Sequence, residues 1–252
     1  MSDIQQGPGW WLASDGRWYP PQPPVQRPAG VSRHLTRVVQ VFQWIQCAVG
    51  VICALVWVVL GLSFRKWWTM PDRFNGEGRY WLGEWVDVED IAAAALTALV
   101  FVVIIGQIVM IVWTFQASRA AERRQPFGRS WSPGWAIGGW LVPTANIVIP
   151  KLVMSEIERI AATPLDPYGR VTPDWRTRTP SLVGRIWWIG TFASVGLITV
   201  AWSLSADWDP RGDSAGPLLA DYTLATVGLL LFAACAACGA RYVGRIAKCL
   251  SD

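Results

Sequence analysis

GWAIGGWLVPTANIVIPKLVM, residues 134–154, is the stretch on which the fold turns. It is apolar enough to enter a membrane and poorly built to cross one. Pro143 and Pro150 each remove a backbone donor, and Gly138-Gly139 weakens any helix before them. Asn146 sits between the prolines. The other apolar runs, 38–64, 91–115, 182–204 and 218–240, carry no such interruption. Each is long enough to span about 30 Å of hydrocarbon as a helix.

Charge decides what the broken run does. With four spans, and 134–154 re-entrant or interfacial, 17 of the 22 basic residues fall on one side and 5 on the other. With five spans the best division is 13 against 9. Positively charged loops stay on the cytoplasmic side, so the sequence predicts four spans, both termini in the cytoplasm and the plasma membrane as location. Backbone groups freed by the prolines must then face protein or water. The loop 65–90 falls outside, as does 205–217.

Composition agrees. Of 252 residues, 52% are hydrophobic and 16% charged, against about 25% charged in soluble domains. That excludes an ordinary cytosolic enzyme and a disordered chain. The net charge of +4 is modest and gives no sign of a nucleic-acid partner. The expected architecture is an all-α integral membrane domain over 31–252, preceded by a cytoplasmic Trp/Pro-rich tail, 1–30. No apolar leader opens the sequence, so no cleavable signal peptide is expected.

Within that tail, GWWLASDGRWYPP reads as a small β-hairpin with Asp15-Gly16 in the turn. Trp10, Trp11, Trp18 and Tyr19 would make an aromatic docking surface for a protein partner. PPQPPVQRP then reads as a stiff spacer.

Trp occurs 18 times. Trp67, Trp68, Trp81, Trp85, Trp202 and Trp208 are expected at the outer membrane boundary, where indole rings collect. Trp113, Trp131, Trp135, Trp187 and Trp188 are expected at the inner one. Four of the five cysteines lie inside apolar runs, and Cys235 and Cys238 sit among Ala and Gly. Close helix packing accounts for them better than metal or redox chemistry. Neither a cofactor nor a metal is expected.

The polar residues inside the runs are few. Gln40, Gln43 and Gln46 recur every three residues and so follow one helix face. Gln46 lies eight residues past Val38 and Gln107 eight before Phe115, each about 12 Å deep at 1.5 Å per residue. Two amides at one depth can bond across helices as structural glue. The alternative is a polar pocket of Gln43, Gln46 and Gln107, closed by Asn146. Arg119, Arg123, Arg124 and Arg129 follow the second run. They bind anionic lipid headgroups, at about 1 kcal/mol each, or only set the topology. Ser155-Glu156-x-Glu158-Arg159 reads as a solvated surface helix. Asp221, one turn inside the last run, is expected to reach the outer interface. The single histidine, His34, reads as a headgroup contact. No pairing of nucleophile with base, or of metal ligands, supports an enzyme.

WSPGWAIGGWLVPTANIVIPKLVMSEIERIAAT, residues 131–163, resembles the signature of an uncharacterised actinobacterial membrane family, domain-of-unknown-function family 4328. The resemblance rests on Trp131, Ser132, Pro133, Gly134, Trp135, Gly139, Trp140, Pro143, Asn146 and Pro150. Asp174-Trp175-Arg176 and the Trp187-Trp188 pair add to it. Lys151 stands where an aromatic residue is expected. The resemblance covers roughly 35–250 and implies membrane location and helix arrangement, with no activity attached. The hairpin resembles short Trp-rich modules that precede other actinobacterial membrane proteins.

Two readings of function follow. The first is a non-enzymatic multi-pass scaffold that recruits a partner. The second is a small transporter or channel, with 134–154 lining a polar pathway. A polar cavity reaching Pro143–Pro150 would favour the second; a sealed core would favour the first.

Overall fold

The computed structural model describes residues 10–12, 14, 16–19, 30–72, 74–166, 171–206, 208 and 214–251. Near the N-terminus β1 (Trp11–Leu12) pairs antiparallel with β2 (Trp18–Tyr19), Trp11 opposite Tyr19 and Leu12 opposite Trp18. Gly16 takes φ of 75° in the turn, a value that favours glycine. Ala13, Asp15 and the Pro-rich spacer lie outside the described residues.

Among the described residues six helices follow: α1 (Arg33–Trp68), α2 (Gly76–Arg124), α3 (Trp135–Leu141), α4 (Ile149–Ala161), α5 (Leu182–Ser205) and α6 (Gly216–Ser251). Short 3-10 turns occupy Ala145–Ile147 and Pro173–Thr177. Four helices, α1, α2, α5 and α6, are long and apolar enough to cross a membrane. Ser32 and Ser181 cap α1 and α5; each hydroxyl accepts from the N–H three residues on.

The spanning helices outrun their apolar cores. α2 has 49 residues, about 73 Å at 1.5 Å per residue. The expected loop 65–90 is therefore mostly helix: α1 ends at Trp68 and α2 begins at Gly76. A pattern for this existed. Trp81, Trp85, Val88 and Ala92 fall at spacings of four, three and four, one helical face, and pack with Leu60, Phe64 and Trp67 of α1.

α1 and α6 run antiparallel in close contact, Gly50 against Ala233 and Gly61 against the Tyr222 ring. α2 packs on the far side of α1 and α5 on the far side of α6. α2 and α5 do not pack on each other along their length. The segment 134–161 bridges them at one end.

That segment is a broken helical hairpin. Pro143 follows the end of α3, where a helix has to stop. Pro150 lies in the first turn of α4, where its missing N–H costs nothing. Gly139 makes the fold-back possible, because a Cβ there would stand 2.7 Å from Ile149 Cγ2. Gly138 has no comparable neighbour.

The tryptophans are not simply belts at two interfaces. Trp67, Trp113, Trp187 and Trp188 are buried, and Trp202 is exposed. Trp67 stacks on Trp85 with centroids 5.6 Å apart and planes at 3°. Trp113 donates its indole N–H to Thr36 Oγ1 at 3.1 Å, inside the core. Burial of these large rings joins helix to helix.

Candidate functional site

Between α2 and α5, with α1 and α6 behind, lies a cavity of about 220 Å³. α1 contributes Gln43 and Gln46, α2 contributes Gln107, and the broken hairpin contributes Trp140 and Asn146. Trp187, Trp188, Thr191 and Phe192 of α5 and Phe232 of α6 complete the wall, and no charged residue lines it. All four amides singled out from the sequence thus reach one cavity.

The register of α1 explains the convergence. Gln40, Gln43 and Gln46 share a face, and each meets a glycine. Gln40 lies over Gly244, and its Nε2 donates to Ala240 O at 3.1 Å. A Cβ on Gly239 would stand 2.9 Å from Gln43 Oε1 and 2.7 Å from Trp187 Nε1. Gln46 lies over Gly106 of α2. Without side chains on these glycines, long amides fit between helices.

Gln46 and Gln107 do not form the hydrogen bond that equal depth suggested. Gln107 Nε2 and Trp140 Nε1 are buried with no partner in the structure. Gln43 and Gln46 are buried at 7% and 6% exposure. The two unpartnered donors, Gln107 Nε2 and Trp140 Nε1, cost about 1–3 kcal/mol each.

The hairpin reaches the level of these amides. The 3-10 turn that carries Asn146 accepts the Trp188 indole N–H at Ile147 O, 2.9 Å. Trp188 is six residues into α5, about 9 Å along the helix. Asn146 bonds through its main-chain N–H to Val142 O at 2.8 Å, which leaves the side-chain amide to the cavity wall.

Two carboxylates on α4 lock the hairpin to its surroundings. Arg129 donates Nε to Glu156 Oε1 at 2.8 Å, with both side chains almost fully buried. Its other nitrogens donate to Ser118 O at 3.0 Å and Ser118 Oγ at 2.9 Å, and Ser130 N–H donates to Glu156 Oε2 at 3.0 Å. Glu158 accepts from the Tyr242 hydroxyl at 2.8 Å, from Ser181 N–H at 3.1 Å and from Arg245. The expected solvated surface helix is therefore a buried anchor on this face. Its signal was tertiary: Glu156 and its partner are 27 residues apart.

The arginines after α2 divide accordingly. Arg124 is 5% exposed and donates to Cys249 O at 2.9 Å, and Arg129 is held by Glu156, so neither is presented to headgroups. Arg119 and Arg123 are exposed, Arg119 beside Glu122 at 3.9 Å. At the opposite end of the bundle, Asp221 accepts from Ser205 Oγ at 2.6 Å. In the hairpin near the N-terminus, Trp10, Trp18 and Tyr19 are half-buried and Leu12 is exposed. All five cysteines are free, and among the described residues no group of His, Cys, Asp and Glu could hold a metal.

Four apolar helices around an uncharged, hydrogen-bonding cavity, closed at one end by a proline-broken hairpin, define a helical multi-pass membrane protein. A family model, domain of unknown function DUF4328, matches residues 83–248, and the chain belongs to that family. The match takes in the hairpin, α5 and the cavity side of α2 and α6, while Gln43 and Gln46 lie before it. No curated protein and no solved structure matches the chain.

Proposed function

We propose that the protein is a non-enzymatic transporter or channel for a small, uncharged, hydrogen-bonding solute, bound in the amide cavity. One observation carries the reading: two buried N–H donors without partners, Gln107 Nε2 and Trp140 Nε1, line a cavity with three further amides and no charge. Unpaired buried donors are costly, and a solute carbonyl or hydroxyl would satisfy them. A charged solute would enter without a counter-charge and lose its hydration. Thr191 and the rings of Trp187, Trp188 and Phe192 supply one more polar group and flat apolar walls. A discontinuous helix beside a site within the membrane is a recurring transporter arrangement. The positive-inside bias supports an orientation with both termini cytoplasmic.

The test is solute flux. The full chain is reconstituted in vesicles and urea or glycerol entry is followed by stopped-flow light scattering. Entry faster than in protein-free vesicles, and slowed by Asn146→Leu, is the expected result. Flux equal to that of empty vesicles for both solutes removes the reading. The scaffold reading rests on the strand pair near the N-terminus and its exposed Leu12.

A further inference from the structure

We propose that a second site, independent of the solute cavity, binds a phosphate group in a groove where α4 ends and α5 begins. The groove has a volume of about 590 Å³ and is lined by Arg159, Arg178 and Arg245, with Glu158 and Ser181 at its base. The lining of the groove thus holds three guanidiniums and one carboxylate.

That carboxylate is already committed. Glu158 is 5% exposed and takes the Tyr242 hydroxyl, the Ser181 N–H and Arg245. It fixes Arg245 in the groove and offsets one positive charge. The other two arginines are held mainly by uncharged carbonyls. Arg159 donates Nε to Ser155 O at 3.2 Å, and Arg178 donates to Ala162 O at 3.1 Å. Arg178 also lies 3.6 Å from Asp174, an exposed pair of the kind that contributes little. A guanidinium has five N–H donors in a planar fork, so each arginine keeps donors for a phosphate oxygen, the geometry arginine recognises best.

Depth points to the source. Ser181 directly precedes Leu182, where the apolar run of α5 begins, so the groove stands at the level where headgroup phosphates lie. The chemistry recognised is a phosphate mono- or diester, carried by an anionic lipid or by a soluble anion.

The experiment uses the full chain in neutral detergent. Phosphatidylglycerol and phosphatidylcholine are titrated by native mass spectrometry, and inorganic phosphate by thermal shift. The expected result is preference for phosphatidylglycerol over phosphatidylcholine, reduced roughly fivefold by Arg159→Gln and again by Arg178→Gln. If the two lipids bind alike while inorganic phosphate binds and loses affinity in the same variants, the site serves a soluble phosphate. Both variants binding every probe as tightly as the unaltered chain would overturn the site. So would an equal loss from Arg119→Gln, an exposed arginine outside the groove. Arg178→Gln removes a half-exposed side chain and leaves the Glu158 network intact, so the test survives if variants of Arg245 fail to fold.

Discussion

Gln46 of α1 lies directly over Gly106 of α2, so closely that a Cβ on the glycine would collide with the glutamine's Nε2. With Gln43 over Gly239 and Gln40 over Gly244, this makes a ladder in which long amides are seated on bare backbone. Each rung puts an amide where the facing helix carries no side chain.

The ladder predicts a graded response to alanine. Gly239→Ala meets the Trp187 indole at 2.7 Å, a rigid ring, and should cost about 1–3 kcal/mol as overpacking does. Gly106→Ala meets the end of a flexible side chain and should cost less. Gly83→Ala, with nothing within 4 Å, should stabilise by up to about 1 kcal/mol through helix propensity. Thermal unfolding in detergent ranks the three, and a Gly239→Ala protein as stable as Gly83→Ala would contradict the packing.

Unpaired and paired amide and indole groups should behave oppositely. Gln107→Leu removes a donor that has no partner, and is expected to leave the melting temperature unchanged or raised. Thr36→Val strands the Trp113 N–H, now bonded at 3.1 Å, and should cost about 1–3 kcal/mol. Loss of stability in Gln107→Leu equal to that in Thr36→Val would mean the amide is paired after all.

The Arg129–Glu156 pair should show strong non-additivity. Either Arg129→Met or Glu156→Leu leaves a buried, unmatched charge, at about 3–5 kcal/mol. The double substitution should cost less than the larger single one, since no charge is then stranded. Chemical denaturation of all four proteins measures the coupling, and simple addition would show that the two side chains act separately.

Lys151 sets a pH dependence. Burial pushes its ammonium below the usual 10.5, with Glu158 pulling it partly back and Arg185 lowering it further. Between the depressed folded value and 10.5 the unfolded chain holds more protons, so this group's contribution makes stability rise with pH in that window. Lys151→Met should therefore stabilise at neutral pH, with a gain that shrinks as pH approaches 10.5. Parallel melting curves for the two proteins across that range would show the group is not desolvated.

How much of this was written locally differs by element. The four spans follow from apolar run length and the distribution of basic residues, and the hinge at Pro143 and Pro150 and the shared face of Gln43 and Gln46 from local spacing, because helical period and missing donors are properties of neighbouring residues. That Gln46 and Gln107 reach the same cavity was suggested by depth, but the absence of a bond between them was not, since depth says nothing of rotation about a helix. Arg129 is buried where the sequence predicts a surface charge, because its partner Glu156 is distant in sequence and a buried ion pair looks, residue by residue, like two surface charges. The first turns of α2 were hidden by acids among the tryptophans, although the spacing of Trp81, Trp85 and Val88 carried the helix.

The four long helices are arranged like an open book. α1 and α6 form the spine, α2 and α5 are the covers, and the broken hairpin is a clasp fastened to one cover through Arg129 and to the other through Trp188. Covers that meet only at the clasp can part without unpicking the spine. Parting them would break the buried Arg129–Glu156 pair or the Trp188–Ile147 bond and leave the α1–α6 contacts untouched.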